Sequence, residues 1–352
     1  MSQEVKTLLV LTPAFPKNES ETSWVPSQQL LVRNLKLQFP ELKIIVYSFI
    51  YPYEQCEYEW HQVKVFAFAG MHNKKLKRLQ LWQNIWQRLR KAKKENNVIG
   101  ILSFWCSECA LIGTWFARYY NLRHLCWICG QDAKPLNKYV KWIRPKPAEL
   151  MAISDFVNDE FSRNHKIRPA FTLPNGVDTD LFPAELPGQR DIDILGAGSL
   201  IPLKQYDVFT ETIASLQHTF QNIKAIHCGD GKEKENIELL ISKYEIGNNF
   251  HLLGSKRHEE LLHLMQRTKL FLHTSNYEGF STVCLEALYA GCHVISFTKP
   301  MNHDIRNWHV VNSKDEMVMK ALQLLSDNRL SHERVLVYSL KDIAGQTMQL
   351  FV

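Results

Sequence analysis

The chain has 352 residues, of which 45% are hydrophobic, and a formal net charge of +6. This length exceeds one average hydrophobic core and predicts two domains, and the ordinary apolar content excludes a disordered chain. The modest basic excess suits anionic ligands or an anionic membrane surface, and by itself it does not indicate nucleic acid. No apolar run approaches the roughly 20 residues of a membrane-spanning helix, and the polar N-terminal stretch does not fit a signal peptide. We therefore expect a cytoplasmic protein with reduced thiols.

In the first half, apolar segments of strand length alternate with segments of helical periodicity. The predicted strands are LLVLTP, KIIVYSFI, VKVFAFAG, VIGILSFW, LCWIC, LMAIS and AFTLPN. The predicted helices are VPSQQLLVRNLKLQ, the long segment after Met71, ALIGTWFARYY and DFVNDEFSRN. Apolar strands joined by helical crossovers predict a parallel sheet covered on both faces.

The second half repeats this alternation. Its predicted strands are DIDILGAG, KAIHCG, NFHLLG, KLFLHTS and HVISF, and its predicted helices are QYDVFTETIASLQ, KEKENIELLISKY, EELLHLMQ and TVCLEALYA. The Pro-rich polar segment 182–190 predicts a linker. We therefore predict an α/β fold of two doubly wound domains, residues 1–182 and 183–335, with a C-terminal helix at about 336–352 packing back on the first. Ligands bind such sheets at the carboxyl ends of the strands.

Two C-x-x-C pairs, Cys106/Cys109 and Cys126/Cys129, have a spacing that fits a zinc site. The second pair lies in a predicted strand, where residues three apart point to opposite faces. The neighbouring residues are Trp, Ile and Leu rather than the Gly and charged residues usual around zinc. We expect free cysteines packed as small core hydrophobes, and no metal.

The pattern YEGFSTVCLEALYAG, residues 277–291, predicts a loop followed by a helix over 282–290. The N–H groups of residues 280–282 would face an anion site suited to a pyrophosphate. Glu278 in the loop is placed to hold a sugar, and Glu286, about a turn into the helix, to accept hydrogen bonds from a ribose diol. The alternative is an ordinary strand–turn–helix with two solvated glutamates.

Two glycine loops follow predicted strands, at residues 196–199 and 229–231. Lys204, just past the first loop, can place an ammonium on a diphosphate, and a solvated lysine is the alternative. The sequence has no G-x-G-x-x-G opening either half, no G-x-x-x-x-G-K-[ST] and no G-x-S-x-G. These absences argue against dinucleotide enzymes, P-loop enzymes and α/β-hydrolases. No D-x-D pair sits at a strand end in the second half, so we expect no divalent metal.

The second half resembles the retaining nucleotide-sugar glycosyltransferases of the GT-B type, the glycosyl transferases group 1 family. The matching segments, in the family's order, are 174–178 with Phe182, 198–204, 229–231, 253–254, 275–286 and 290–296. The resemblance implies two Rossmann-like domains that face a cleft, with the donor bound by the second domain and the acceptor by the first.

The resemblance also implies roles for individual residues. The donor-binding set is Gly198, Ser199, Lys204, Gly229, Asp230, Gly254, Phe280, Ser281, Thr282 and Glu286. Glu278 is expected to contact the transferred sugar, and Lys204 the leaving diphosphate. Ser199 stands where the family often carries an arginine beside the phosphates.

In the first half the match is looser. Glu21 and Thr22 resemble a loop that closes over the donor phosphates and acceptor. Asp132 ends a predicted strand where related enzymes often carry a polar residue near the reacting carbon. We expect Asp132 to be that catalytic group, and a structural cap is the alternative.

The implied function is transfer of a sugar, with retention, from a nucleotide diphosphate sugar to an acceptor hydroxyl. A UDP-sugar is the favoured donor, and the acceptor is a sugar or a lipid-linked sugar in polysaccharide, lipopolysaccharide or glycolipid assembly. No cofactor and no nucleic-acid partner are expected. A sugar-nucleotide epimerase on the same fold and a catalytically silent sugar-nucleotide-binding partner protein are the alternatives.

The segment from Lys74 to Lys94 has many Lys and Arg and no acid. Its Leu, Ile and Trp residues recur at helical spacing, which predicts an amphipathic helix. One interpretation is a crossover helix packed on the sheet. The other is peripheral docking on an anionic membrane through the basic flank and the Trp side chains.

Overall fold

A computed structural model describes residues 5–22, 24–70, 75–185 and 188–351. The chain divides into two compact units, Met1–Gly176 with Leu340–Val352, and Val177–Ser339. Each unit contains a largely parallel sheet with helical crossovers, so the predicted fold of two Rossmann-like doubly wound domains is confirmed.

The division between the units falls after Gly176 and after Ser339, whereas the sequence analysis placed it after residues 182 and 335. The difference has a local cause. The Val177 N–H donates to the Tyr338 carbonyl at 2.9 Å, and Val177 forms a parallel bridge with Ser339. The two chain segments that join the units are therefore part of the second unit, one from Val177 onward and the other as far as Ser339.

The first unit contains eight strands among its described residues. They are β1 (Lys6–Ala14), β2 (Lys43–Tyr51), β3 (Cys56–Trp60), β4 (Val63–Ala67), β5 (Asn97–Phe104), β6 (Arg123–Ile128), β7 (Leu150–Ala152) and β8 (Phe171–Thr172). The helices between them are α1 (Pro26–Gln38), α2 (Lys75–Glu95), α3 (Glu108–Tyr120), α4 (Lys138–Ile143) and α5 (Asp155–His165).

The strand order of this sheet is β3-β4-β2-β1-β5-β6-β7-β8, and only β3 runs antiparallel to its neighbour. Strands β1 and β2, in the interior of the sheet, are buried along most of their length because helices cover both faces. The crossovers change direction between β1 and β5, which makes this position the topological switch point of the sheet.

The second unit has a six-stranded parallel sheet in its described part. Its strands are β9 (Ile192–Ala197), β10 (Ala225–Cys228), β11 (Phe250–Leu252), β12 (Thr268–His273), β13 (His293–Ser296) and β14 (Trp308–Val310). Its helices are α6 (Tyr206–Gln217), α7 (Lys234–Lys243), α8 (His258–Gln266), α9 (Thr282–Tyr289) and α10 (Lys314–Leu325). The strand order is β11-β10-β9-β12-β13-β14, so the switch point lies between β9 and β12.

The last helix, α11 (Leu340–Gln349), belongs to the first unit and packs on α1. Gln38 at the end of α1 donates its amide N–H to the Lys341 carbonyl at 2.8 Å. Arg123 at the start of β6 donates to the Leu350 carbonyl at 3.3 Å. The end of the described chain is thus attached to the first sheet and its helices.

Helix α2 packs the apolar stripe that the sequence predicted against the first sheet. Leu81, Ile85 and Leu89 belong to the core, and Trp82 and Trp86 pack against it half-buried. The crossover interpretation therefore describes this helix. Among the helices of the described ranges, none is long and apolar enough to span a bilayer.

Candidate functional site

Glycine loops shape the carboxyl end of the second sheet beside its switch point. Gly198 leaves β9 with φ 144°, and Gly229 leaves β10 with φ 149°. A Cβ on Gly229 would lie 1.9 Å from the carbonyl oxygen of Gly198, a distance that no side chain tolerates. The Gly198 N–H donates to the Cys228 carbonyl, and the Gly229 N–H donates to the Gly254 carbonyl. Three predicted donor-site glycines thus lie on adjoining loops.

Lys204 and Glu278 meet at this switch point. Lys204 lies in the short helical turn after β9, and Glu278 lies in the loop after β12. The Lys204 ammonium forms a short ion pair with Glu278 Oε2. Thr274 holds the lysine backbone by donating its hydroxyl to the Lys204 carbonyl at 2.7 Å. Two predicted catalytic residues, 74 positions apart in the chain, are therefore in direct contact.

A buried histidine completes this pair. His273, the last residue of β12, places Nε2 3.6 Å from Glu278 Oε2. Burial raises the pKa of Glu278, but the nearby His273 imidazole and the Lys204 charge outweigh burial and lower it to about 2. Burial lowers the pKa of His273 itself. Glu278 is therefore an anion at neutral pH, held beside a cation.

The second predicted carboxylate lies on α9, which begins at Thr282 as expected and ends at Tyr289. Glu286 is buried, and its Oε1 lies 2.8 Å from Nε2 of His258. Burial lowers the pKa of His258, but the negative charge of Glu286 and the hydrogen bond raise it further than burial lowers it. Glu286 is therefore an oriented buried acceptor and not the solvated glutamate of the alternative interpretation.

The remaining predicted donor residues line the same loops. Ser199 is exposed and follows Gly198, and Asp230 is exposed between two positive-φ glycines, where it accepts from the Gly231 N–H at 2.8 Å. Phe280 is buried against Trp308. Ser281 is the residue that precedes the first turn of α9, where Thr282 begins the helix.

His258 and His273 are residues that the sequence analysis missed. Each lies outside residues 277–291 and directly contacts one of the two predicted carboxylates, His258 contacting Glu286 and His273 contacting Glu278. His258 begins α8, 28 residues before Glu286. A lone histidine at a helix start gives no sequence signal of this contact. His273, by contrast, ends the strand that precedes the motif, so its position next to Glu278 could have been predicted from the sequence.

In the first unit, Asp132 does not have the free carboxylate expected of a catalytic group. Its Oδ2 accepts from the Cys106 N–H at 2.7 Å, and its Oδ1 accepts from the N–H groups of Cys129 and Gly130 at 3.0 and 2.8 Å. The side chain is buried, which raises its pKa above the usual value despite these bonds. The structural-cap alternative is thus the one the contacts describe, because both oxygens are used to hold the β5 and β6 loops together.

The acceptor-side loop is tied to the first sheet. Glu21 accepts from the Tyr51 hydroxyl at 2.6 Å and from the Lys17 N–H at 2.8 Å. Thr22 is exposed. The next residue, Ser23, lies outside the described residues.

A pocket of about 570 Å³ opens at the switch point of the first sheet. Its wall consists mainly of apolar and aromatic side chains at the ends of β1, β2 and β5 and around the start of α4. They include Pro13, Phe49, Ile50, Trp105, Leu136 and Tyr139. Trp105 has a φ of 65°, an uncommon backbone conformation for a bulky residue, directly at the end of β5.

Two buried carboxylates, Glu108 and Asp132, line this pocket. Glu108, at the first turn of α3, accepts from Arg78 through both oxygens at 2.9 and 2.5 Å, and from the Trp82 indole N–H. Because its acceptor capacity is used within the protein, Glu108 adds little polarity to the wall. The pocket therefore combines a largely apolar surface with two cationic side chains, Arg78 and Lys134.

The four cysteines of the C-x-x-C pairs are free thiols. Cys126 lies in β6, Cys129 follows that strand, and Cys109 lies in α3. Burial raises the pKa values of Cys109, Cys126 and Cys129. In the described part of the chain, no group of three or more His, Cys, Asp or Glu side chains is arranged to hold a metal.

Comparison with known proteins agrees with this geometry. An uncharacterized glycosyltransferase of Methanocaldococcus jannaschii is 23% identical over 275 residues, which cover 76% of this chain and 74% of that protein. One component of the phosphatidylinositol N-acetylglucosaminyltransferase of Arabidopsis thaliana is 28% identical over 165 residues. That match covers 46% of this chain and only 37% of the plant protein.

Solved structures share the fold. The Anabaena protein HepE, crystallised with UDP and glucose, superposes with a TM-score of 0.71 at 15% identity, covering 99% of each chain. Residues 178–337 match the family described as glycosyl transferases group 1, and they make up nearly all of the second unit. The second unit therefore matches the glycosyl transferases group 1 family, and the chain has the two Rossmann-like domains of the GT-B fold.

Proposed function

We propose that this protein transfers a sugar from a nucleotide diphosphate sugar to an acceptor hydroxyl with retention at the anomeric carbon. The observation that carries the proposal is the contact of Lys204 with Glu278 at the second switch point, beside the start of α9 and the buried Glu286. A UDP-sugar is the favoured donor, since the similar Anabaena protein was crystallised with UDP and glucose.

The site supplies charge where the leaving diphosphate develops it. An ammonium has three N–H donors, and Lys204 uses one of them on Glu278, so further donors remain for the phosphate oxygens of a bound donor. The start of α9 adds the positive end of a helix dipole. Both groups stabilise the departing diphosphate more than the intact donor, which lowers the barrier to cleavage.

Glu278 acts on the sugar side of the breaking bond. Because its pKa is lowered to about 2, it carries a full negative charge at working pH. A fixed anion near the sugar stabilises the oxocarbenium character that develops as the bond to the diphosphate breaks. Lys204 and His273 hold this carboxylate in place before the donor arrives.

Retention requires the acceptor oxygen to attack from the side that the diphosphate leaves. The bond from the anomeric carbon to the phosphate oxygen breaks, its electron pair goes to the diphosphate, and the acceptor oxygen forms the new bond. A phosphate oxygen of the leaving group takes the acceptor proton. This route needs neither a protein base nor a metal ion.

The acceptor is assigned to the first unit, in the pocket at its switch point. The mainly apolar wall of that pocket fits an acceptor with an apolar portion better than a free polar sugar. The name of the similar plant protein specifies a phosphatidylinositol acceptor for that enzyme. We infer a lipid-linked acceptor here, in glycolipid or polysaccharide assembly.

Product analysis tests the proposal. The purified protein is incubated with UDP-, GDP- and ADP-sugars and a short-chain lipid-linked sugar as acceptor, with and without EDTA. Release of the nucleoside diphosphate and the anomeric configuration of the product are measured by NMR. We expect release of UDP and an unchanged anomeric configuration in both conditions. An inverted product contradicts the proposed mechanism. An epimerised sugar identifies an epimerase, and binding without release of nucleotide identifies a silent partner protein.

A further inference from the structure

Helices α2, α3 and α4 of the first unit, with the residues just before α4, present large apolar side chains to solvent. We call these residues the α2–α4 face. They are Leu76 (79% exposed), Leu79 (57%), Trp115 (43%), Tyr119 (73%), Leu136 (94%) and Trp142 (51%). Single exposed apolar residues are ordinary, but six on neighbouring elements of one unit call for an explanation.

Contacts join the three helices into one surface. Trp82 of α2 lies edge-on to Trp115 of α3 at 6.4 Å, and one turn further Trp86 lies edge-on to Tyr119 at 6.2 Å. These ring pairs show that α2 and α3 run side by side in the same direction.

Helix α4 is tied to the other side of α3. Arg118 of α3 donates to the carbonyls of Ile143 and Arg144 at 2.9 and 3.1 Å. The end of α4 and the start of the following loop therefore lie beside Arg118 of α3.

Positive charge surrounds the α2–α4 face. Residues 134–146, which contain α4, include five basic residues and no acid: Lys134, Lys138, Lys141, Arg144 and Lys146. The Lys138 ammonium lies 5.3 Å from the centre of the Trp142 ring and 5.6 Å from that of Tyr139. Together with the basic α2, this segment gives a surface that mixes cations with aromatic rings.

The apolar pocket is lined by residues at the amino-terminal ends of α2, α3 and α4. Leu136, the most exposed residue of the face, also lines the pocket, as does Tyr139 of α4. Arg78 of α2 also lines the pocket and is held there by Glu108. The exposed apolar surface is thus continuous with the pocket interior through Leu136.

We propose that the α2–α4 face docks on the surface of an anionic lipid bilayer. Exposed Trp, Tyr and Leu side chains enter the headgroup region, and the surrounding lysines pair with anionic lipid phosphates. The bound orientation presents the pocket mouth to the membrane, so that a lipid-linked acceptor enters along Leu136. The docking itself is independent of catalysis, and only its role in acceptor delivery rests on the proposed function.

This assignment differs from the docking surface that the sequence predicted. Trp82 and Trp86 of α2 were expected to contact lipid, but both are half-buried against aromatic side chains of α3. Arg78 was expected to be a lipid-facing cation, but its guanidinium is committed to Glu108. Lys74 lies outside the described residues. The lipid-facing residues are instead mainly those that α3, α4 and the segment before α4 contribute.

The experiment measures co-sedimentation of the full chain with vesicles of phosphatidylcholine alone or mixed equally with phosphatidylglycerol. One variant removes apolar contacts, Tyr119→Ser with Trp142→Ser, and another removes charge, Lys138→Gln with Lys141→Gln. The matched control is Leu239→Ser with Met319→Ser, which alters two comparably exposed apolar residues of the second unit, 69% and 61% exposed. Thermal melting checks that every variant is folded, and UDP binding checks the second unit.

We expect the wild-type protein and the control to sediment with the anionic vesicles and to be released by salt. The charge variant should lose about tenfold or more in vesicle affinity, because each basic residue near an anionic surface contributes about a fivefold factor. The apolar variant should lose a similar amount, and UDP binding should be unchanged in both. A wild-type protein that stays in solution at low salt overturns the docking proposal and leaves the proposed function standing. Equal loss in the control also overturns it.

Discussion

The carboxyl ends of the two sheets have the same topology and opposite chemistry. At the second switch point, Lys204 and Glu278 form an ion pair between loops that glycines bring together. At the first switch point, the buried carboxylate of Asp132 is consumed by backbone N–H groups, and the wall is largely apolar. One edge suits a charged diphosphate, and the other suits an apolar ligand.

The difference shows that topology places a binding site and side chains decide what binds. Both sheets reverse their crossovers between two central strands, so both offer a crevice at the strand ends. In the second unit, the Lys204 ammonium lies at that crevice and keeps N–H donors beyond the one bonded to Glu278. In the first unit, both oxygens of the Asp132 carboxylate accept hydrogen bonds from backbone N–H groups.

The Lys204–Glu278 ion pair at the second switch point should have the largest effect on turnover. Lys204→Ala removes the charge on the leaving diphosphate and should reduce kcat by about a hundredfold to a thousandfold. The measurement is steady-state release of UDP. Lys224→Ala is the matched control, because Lys224 is exposed at the amino end of β10, away from the site. Equal activity of the two variants would show that the second edge is not the donor site.

The glycine contact of the second edge should be essential for the loop geometry. Gly229→Ala places a methyl group 1.9 Å from the Gly198 carbonyl in a backbone conformation unfavourable for alanine. We expect a loss of about 3 kcal/mol or more in the free energy of unfolding, measured by chemical denaturation. Gly247→Ala is the control, because its Cβ would meet open space. A Gly229→Ala protein as stable as the control would contradict the described loop contact.

Asp132 should matter for stability and not for chemistry. Asp132→Ala leaves the N–H groups of Cys106, Cys129 and Gly130 without their acceptor, which should cost about 2 kcal/mol or more in unfolding free energy. The folded fraction should keep a kcat within a few-fold of the wild type. A loss as large as that of Lys204→Ala, in a protein that remains folded, would restore the catalytic role predicted from the sequence.

The His258–Glu286 contact should give a small, pH-dependent contribution to stability. The folded-state pKa of His258 is raised above 6.5, so the protonated pair stabilises the fold fully below about pH 6.5. That stability is lost as the pH rises through the folded-state pKa. Thermal melts of His258→Gln should therefore differ from wild type most at low pH, by about 1 kcal/mol, and converge at high pH. His263→Gln, an exposed histidine of the same helix, should show no such trend.

The sequence predicted which residues gather at the second switch point because they lie in short patterns that follow predicted strands. Glu278, Glu286 and the glycines each follow a recognisable apolar strand, so the fold alone brings them together. His258 was missed because its contact with Glu286 depends on how α8 packs against α9. Strand β3 was missed because most of its residues are exposed, so it lacks the apolar signal of the inner strands.

The first edge was harder to predict for a related reason. Asp132 follows a strand at the place expected for a catalytic polar residue, and its bond from the Cys106 N–H, which comes from another loop, favours the structural cap instead. Likewise, the periodicity of α2 predicted an apolar stripe but not which of its Trp residues α3 would cover. Long-range packing, which a local pattern does not encode, decided both cases.

The most direct test of the account is the affinity for UDP of the wild type, Glu286→Ala and Glu238→Ala, measured by isothermal titration calorimetry. Glu286 is the buried acceptor assigned to the donor ribose, and Glu238 is an exposed glutamate on α7. The account predicts that the wild type and Glu238→Ala bind UDP equally and that Glu286→Ala binds about tenfold more weakly or worse, while remaining folded. Equal binding by all three proteins, or no binding by the wild type, would contradict the assignment of the donor site to the carboxyl end of the second sheet.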